Sequence, residues 1–351
     1  MPIRLNLSSI LLFPGFLFSA ICAVALAQVQ QIPVAASKGQ ITLDVAVTPK
    51  AGKPVVANLT KEQFTVLDNK VPQPVTSFAA LTLKQEPIEV ILLLDALNTS
   101  YNNIAYERQE ITKFLDAEGG HLAHPTAIAV LTDKGVRMQQ SFFTDGHALS
   151  RDLDNHQIGL SSIPPSSGVY GADERMQISL GALSQITARE ASRPGRKIIL
   201  WVSPGWPILS GPGIQLSDKQ RQQIFSTIVG ASTRLREGRI TLYAINSLGV
   251  REDVGRAAYY QKFLKGVTKP SQTDIGDVSL QVLAAQSGGL VLNSTDTAAL
   301  LQQAVADTDA YYELSFKAAN ASQPNEYHHI EVRVDAPGLT ARTRDGYYAQ
   351  P

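Results

Sequence analysis

Between Glu89 and Tyr311 the chain repeats one pattern, a short and almost wholly apolar run followed by a longer amphipathic segment. The runs are EVILLLD (89–95), TAIAVLTD (126–133), RKIILWVS (196–203), RITLYAIN (239–246) and LVLNS (290–294). Their continuous apolar stretches lack the polar–apolar alternation of a strand with one wet face. They predict strands buried on both sides, as in a mostly parallel sheet covered by helices. Ile104, Ile111, Phe114 and Leu115 mark the helix after the first strand. Further helices are predicted at about 172–192, at 217–237 with Ser217 or Asp218 as N-cap and Gly238 as stop, and in SLQVLAAQSGG and TAALLQQAVADTDAY. GVRMQQSFF (135–143) is read as the hairpin partner of TAIAVLTD. The fold class is therefore α/β, a doubly wound and mostly parallel sheet flanked by helices.

The two ends change period. In ITLDVAVTP (41–49) Ile41, Leu43, Val45 and Val47 share one face, as in a half-buried strand. KAGKP reads as a turn, Thr60 and Gln63 as a capping box over one helical turn, and FTVLDNKVPQPVTSF as strand, Asp68-Asn69 turn, strand. After residue 310, YYELSFKA, YHHIEVRVDA and TARTRDGYYA alternate again, with turns at Asn320–Pro324 and Pro337-Gly338. The expected organisation is one small all-β module, 39–84 with 311–351, carrying the α/β domain of 85–310 as an insertion.

Arg4 is the one charge before an apolar tract that ends in Ala25-Leu26-Ala27, which predicts a secretory signal peptide over 1–27. Pro14 and Gly15 within the tract weigh against a retained anchor, and the bulky Ile21 against a lipoprotein signal at Cys22. Residues 28–38 read as a flexible tail. Cys22 is the single cysteine, so a cleaved chain has neither disulfide nor thiolate chemistry. An exported protein, periplasmic or secreted, is expected, with no membrane span after cleavage. The 31 basic and 31 acidic residues balance, so no net field draws nucleic acid or an anionic membrane. N-x-S/T triplets at Asn58, Asn98, Asn293 and Asn320 matter only in a eukaryotic secretory pathway.

In an open parallel sheet, ligands bind beyond the carboxyl ends of the strands. Here those ends are Asp95-Ala-Leu-Asn-Thr-Ser, Thr132-Asp133, Ser203-Pro-Gly-Trp and Asn246-Ser247. None carries the glycine pattern of a dinucleotide or phosphate loop. Ser203 sits at a strand-to-loop turn, as a hydrolase nucleophile does, but Trp201 replaces the leading glycine of the elbow pattern. The histidines (121, 124, 147, 156, 328 and 329) fall in expected loops or the β tail, and solvated imidazoles are expected. Asp95 followed by Asn98, Thr99 and Ser100 has the hard oxygen atoms a divalent cation seeks; equally, its carboxylate suits the amides of the following loop.

The chain resembles the von Willebrand factor A (VWA) family and is similar to the VWA-related exported proteins abundant in Acidobacteria. The likeness rests on LLLDALNTSYNNIAYERQEITKFL (92–115), RKIILWVSPGWP (196–207), LAAQSGGLVLNSTDTAALLQQAVADTDAYYELSF (283–316) and HHIEVRVDAPGLTARTRDGYYA (328–349). ITLDVAVTPKAGKPVVANLTKEQFTVLDNK (41–70) resembles that group's front module.

The resemblance implies a non-enzymatic module that binds a protein or cell-envelope partner through a metal-ion-dependent adhesion site. Asp95 matches that site's first aspartate and Thr99 its second hydroxyl position. Leu97 stands at the first serine position, and Ser203-Pro204-Gly205 where a late aspartate is expected. Asp173 is the nearest candidate by order for the middle threonine. The implied site is degenerate, with Asp95, Asn98, Thr99 and Ser203 as a weak Mg²⁺ or Mn²⁺ set and Ser100, Tyr101 and Trp206 as partner contacts. A hydrolase built on Ser203 and a purely structural, metal-free envelope protein are the competing readings.

Overall fold

The computed structural model describes residues 39–49, 58–82, 88–155, 163, 167–207, 215–248 and 259–351. The expected signal peptide, the 28–38 tail, Cys22, the KAGKP turn, His156 and most of SSIPPSSG lie outside the described residues.

The described chain opens with β1 (Gln40–Pro49), a 3₁₀ turn at Lys61–Gln63, β2 (Phe64–Asp68), β3 (Val71–Gln73) and β4 (Val75–Thr82). The α/β part follows as β5 (Glu89–Asp95), α1 (Tyr101–Asp116), β6 (His121–Thr132), β7 (Gly135–Met138), β8 (Phe143–Asp145), α2 (Gly146–Asn155), α3 (Gly168–Glu190), β9 (Lys197–Val202), α4 (Asp218–Glu237), β10 (Ile240–Asn246), α5 (Leu280–Gln286), β11 (Val291–Asn293) and α6 (Thr297–Ala306). The chain closes with β12 (Ala310–Lys317), β13 (Glu326–Val334), β14 (Leu339–Arg342) and β15 (Gly346–Ala349).

The large sheet has the order β11-β10-β9-β5-β6-β7, with β8 also on β6. The pairs from β11 through β6 are parallel, and β7 and β8 run antiparallel to β6. The unbroken apolar run of β5 is explained by its place between β9 and β6. Ile91 and Leu93 pack into the layer of α3, α4 and α5, and Val90, Leu92 and Leu94 into the layer of α1, α2 and α6. Each such leucine contributes roughly 1.5–3 kcal/mol of burial.

Helix α2 has no counterpart in the sequence reading, because only Leu149 and Leu153 form its buried stripe. Asp145 starts it, accepting the Ala148 amide at 2.9 Å. Helix α3 begins four residues earlier than its apolar pattern indicates, at Gly168.

The strands flanking the α/β part pair with one another across the length of the chain. β1 lies antiparallel between β12 and β14, with Leu43 opposite Leu314, and β4 adds to the other side of β12. A second four-stranded sheet has the order β15-β13-β2-β3. Asn69 and Lys70 both take positive φ, 49° and 69°, the geometry of a tight hairpin turn between β2 and β3. Leu43, Val45, Phe64, Val66, Leu314, Phe316 and Ile330 share one core.

Two histidines depart from the solvated expectation. His124 lies in β6 and is buried, its Nε2 3.5 Å from Asp309. His328 is buried in β13, with Nδ1 2.7 Å from Asp68 and its ring stacked on Tyr347 at 5.0 Å. Both sit at inward strand positions; His328 hydrogen-bonds a carboxylate there, whereas neither ring nitrogen of His124 makes a hydrogen bond among the described residues. Among the described residues, no helix is long and apolar enough to cross a membrane.

Candidate functional site

Strand β5 ends at Asp95 in the middle of the sheet. The chain leaves it through α1 to β6 on one side and later returns through α3 to β9 on the other. This reversal makes a crevice at the carboxyl edge, between the ends of β5 and β9.

Asp95 is fully buried there, and both of its oxygens are engaged. Oδ1 accepts the backbone amides of Leu97 (3.2 Å) and Asn98 (3.0 Å) and the Asn98 side-chain amide (3.1 Å). Oδ2 accepts the same Asn98 amide (2.9 Å), the indole Nε1–H of Trp201 (3.0 Å) and the hydroxyl of Ser203 (2.9 Å). A carboxylate offers about four lone-pair positions, so these six contacts saturate it. Burial pushes the Asp95 carboxyl up, against the opposing pull of the donors on Asn98, Trp201 and Ser203. The Asn98 amide is fixed further by donating to Ser179 of α3 at 2.9 Å, and Ser179 donates to the Arg175 carbonyl at 2.8 Å.

A second buried acid lies beside the first. Glu107, on the inward face of α1, has no exposed surface and accepts from Ser247 (2.5 Å) at the end of β10 and from Thr99 (3.5 Å). Desolvation pushes its carboxyl up to about 8, so it is protonated at neutral pH. The Glu107 Oε2 and Asn98 Oδ1 atoms are buried without hydrogen-bond partners.

The expected ligand set is only partly assembled. Asp95, Asn98 and Ser203 meet, but Thr99 turns its hydroxyl to Glu107, and Leu97 is buried in the core as its aliphatic side chain requires. Asp173 is exposed on α3; Arg175 and Ser179 take the inward positions of that helix. Trp206, expected as an exposed contact, is instead 3% exposed and packs edge-on against Trp201 at 5.1 Å. Gly205, with φ of 110°, turns the chain so that the second indole folds back onto the first. Ser100 and Tyr101 are exposed, Tyr101 at 61%. Ser203 is 1% exposed and spends its proton on Asp95, and no described histidine reaches it. That is the geometry of a positioning hydroxyl, not of a nucleophile.

The donor chemistry does not fit a hard divalent cation. Asn98 turns its NH₂ to Asp95, and reversing the amide would set an oxygen against the carboxylate. Trp201 contributes an N–H that cannot ligate. Among the described residues, no group of three or more histidines, cysteines, aspartates or glutamates is arranged to hold a metal ion. The sequence reading missed Glu107 and Ser179, and placed Ser247 at a strand end without a role. A signal for Glu107 was present, since it interrupts the apolar stripe between Ile104 and Ile111.

Next to this cluster, a cavity of about 750 Å³ opens between the amino-terminal halves of α3 and α4. Its lining includes Tyr170, Asp173, Met176, Gln177, Leu216 and Ile224. Tyr170 at its lip is 90% exposed.

No protein-family model and no curated protein matches the chain. Solved structures overlap it loosely. Proximal thread matrix protein 1 from the mussel byssus aligns at 13% identity with a TM-score of 0.36, over 68% of this chain and 51% of that one. The pilus adhesin SpaC from Lactobacillus rhamnosus GG aligns at 8% and 0.36, over 85% and 48%. The three N-terminal domains of the type V pili tip protein Mfa5 from Porphyromonas gingivalis align at 10% and 0.36, over 88% and 67%. The chain spans about half the length of the first two. At TM-scores this low the superpositions assign the chain neither a family nor a role.

Proposed function

We propose that the chain is an exported, VWA-like and non-enzymatic binding module that contacts a protein or cell-envelope partner through the carboxyl-edge loops, without a metal. The observation that carries this reading is the saturation of Asp95. Trp201, Ser203 and Asn98 supply the positive ends of dipoles where an adhesion site would hold a cation. The loop after β5 is thereby fixed from within, and Ser100 and Tyr101 are presented outward. An aromatic side chain on a rigid support loses little entropy when it is covered, which favours it as an interface anchor. In the same reading, 39–84 and 311–351 form a β module that carries the α/β domain of 85–310, and the protein acts in the periplasm or outside the cell.

The test is capture of a partner from envelope extract by the immobilised chain, in Mg²⁺ and in EDTA, with wild type, Tyr101→Ala and an exposed β-sheet control, Thr65→Ala. The reading expects equal capture in both buffers and by the control, and loss with Tyr101→Ala. Release by EDTA would restore the metal-dependent reading. Full capture by Tyr101→Ala would remove this residue from the contact surface.

A further inference from the structure

The outer side of an edge strand can template pairing with another chain, and folded proteins blunt such edges by short length, proline, charge or burial. Most edges of this chain are blunted. In the large sheet β11 has three residues, and β7 and β8 have four and three with Arg137 and Asp145 among them. In the β part, β3 has three residues with Pro72 at its centre, and all four residues of β15 are buried. β14 has four residues and ends at Arg342, which is ion-paired with Asp307.

β4 differs from all of these. It runs for eight residues, VTSFAALT, with neither a charge nor a proline. β12 lies along one side of it, and no described strand pairs with the other. The register on β12 shifts between Ser315 and Phe316 and is unbroken from Ser77 to Thr82. Both faces of β4 rest on apolar layers. Phe78 and Ala80 pack against the core of the two β sheets, with the Phe78 ring 5.7 Å from those of Phe64 and Tyr312. Leu81 packs against the layer of α1, α2 and α6. Phe78 to Leu81 are nevertheless only half-buried, so a further strand would cover them and continue both layers. That strand must be extended and uncharged, with small side chains to set against Phe78 and Leu81. β4 itself meets this description.

We propose that two copies of this chain pair through β4, antiparallel about a twofold axis, so that the β14-β1-β12-β4 sheet continues across the contact as eight strands. A register with Ala79 at the axis sets Phe78 against Ala80 and Ser77 against Leu81, a large side chain beside a small one at each step. Each pair then lies on one face of the strand, and no like charges oppose one another. A twofold contact of this kind uses up the open edge of both copies and closes at the dimer. One strand pair makes a small interface, of the size class of transient complexes, so the association is expected to depend on concentration.

The test is sedimentation equilibrium of the full chain. Its weight-average mass should rise from one chain toward two between about 1 and 100 µM. Ala79→Lys should hold the mass at one chain throughout, because two ammonium groups would face each other across the axis. Within a single copy the new ammonium lies opposite Glu313 of β12, so the wild-type Tm should be kept. If that variant fails to fold, oxidative crosslinking decides. Cys22 is the single native cysteine, and Ala79→Cys in a Cys22→Ala chain should yield a covalent dimer. Ser226→Cys, exposed on α4, should yield none in the same background. A mass of one chain over the whole range, a mass that climbs past two, or equal crosslinking of the two cysteine variants overturns the proposal.

Discussion

Asp95 shows how a buried carboxyl is held by hydrogen-bond donors without a counterion in contact. Removing a carboxylate from water costs several kcal/mol after relaxation, and each hydrogen bond to a charged group returns about 1.5–3 kcal/mol. Six donor contacts bring the balance within reach of an ordinary core position. Trp201→Phe keeps the packing and deletes the indole N–H, so urea unfolding should register a loss of about 1–3 kcal/mol. Glu107 makes a prediction in pH. Its folded carboxyl titrates near 8 against about 4.5 for the ordinary group. Below 4.5 both folded and unfolded chains hold the proton, and the stability tied to it is fully present. As pH rises toward 8 the unfolded chain releases its proton first, so stability falls across this window. Asp277 and Asp345, both pushed up to about 6 by burial, add to the slope in its lower part. Above 6 Glu107 continues the fall, alongside Asp95 and Glu190, whose carboxyls burial also raises. Glu107→Gln should lessen the fall while keeping the Ser247 contact, and an unchanged slope between pH 6 and 8 would contradict the assignment.

At the scale of elements, the large sheet was legible because strands buried on both faces have no polar positions. Val90 to Leu94 cannot be read as anything that faces water on one side. Helix α2 was not legible, since its burial comes from two leucines and from close backbone contact. A Cβ added at Gly146 would lie 1.9 Å from the Leu115 carbonyl oxygen. Gly146→Ala should therefore cost about 1–3 kcal/mol through overpacking, although exposed helical positions usually gain from this exchange. Thermal or urea unfolding of the variant checks it. The carboxyl-edge site was half legible for a related reason. Asp95 and Ser203 end strands and announce themselves by position. Ser179 and Ser247 acquire their roles only when α3 and β10 are brought alongside. The environment of Trp206 was hidden as well, because two flanking prolines predict a loop but not which way its indole turns.

Over the whole molecule, the first described strand is held by the last segments of the chain. β1 pairs with β12 and β14, and β2 pairs with β13, across sequence separations of more than 250 residues. Long-range antiparallel pairing of this kind couples the two ends. A chain beginning at Ile88 should lose protection of residues 311–351, read as faster proteolysis of that segment while the large sheet persists. Unchanged protection would show that the closing strands stand without the opening ones. The same pairing leaves the carboxyl edge of the large sheet away from the β1–β12 junction, with Tyr101 and Tyr170 uncovered there.

The central claim is that hydrogen-bond donors hold the carboxyl edge where an adhesion site would hold a metal. Calorimetric titration of the full chain with Mg²⁺ and Mn²⁺, paired with unfolding of wild type and Asp95→Ala, tests it most directly. The account predicts no binding heat and no cation-dependent shift in Tm for wild type, and a loss of about 3–5 kcal/mol in stability for Asp95→Ala, as for other broken buried charge networks. Saturable binding of either cation by wild type that disappears in Asp95→Ala would contradict it.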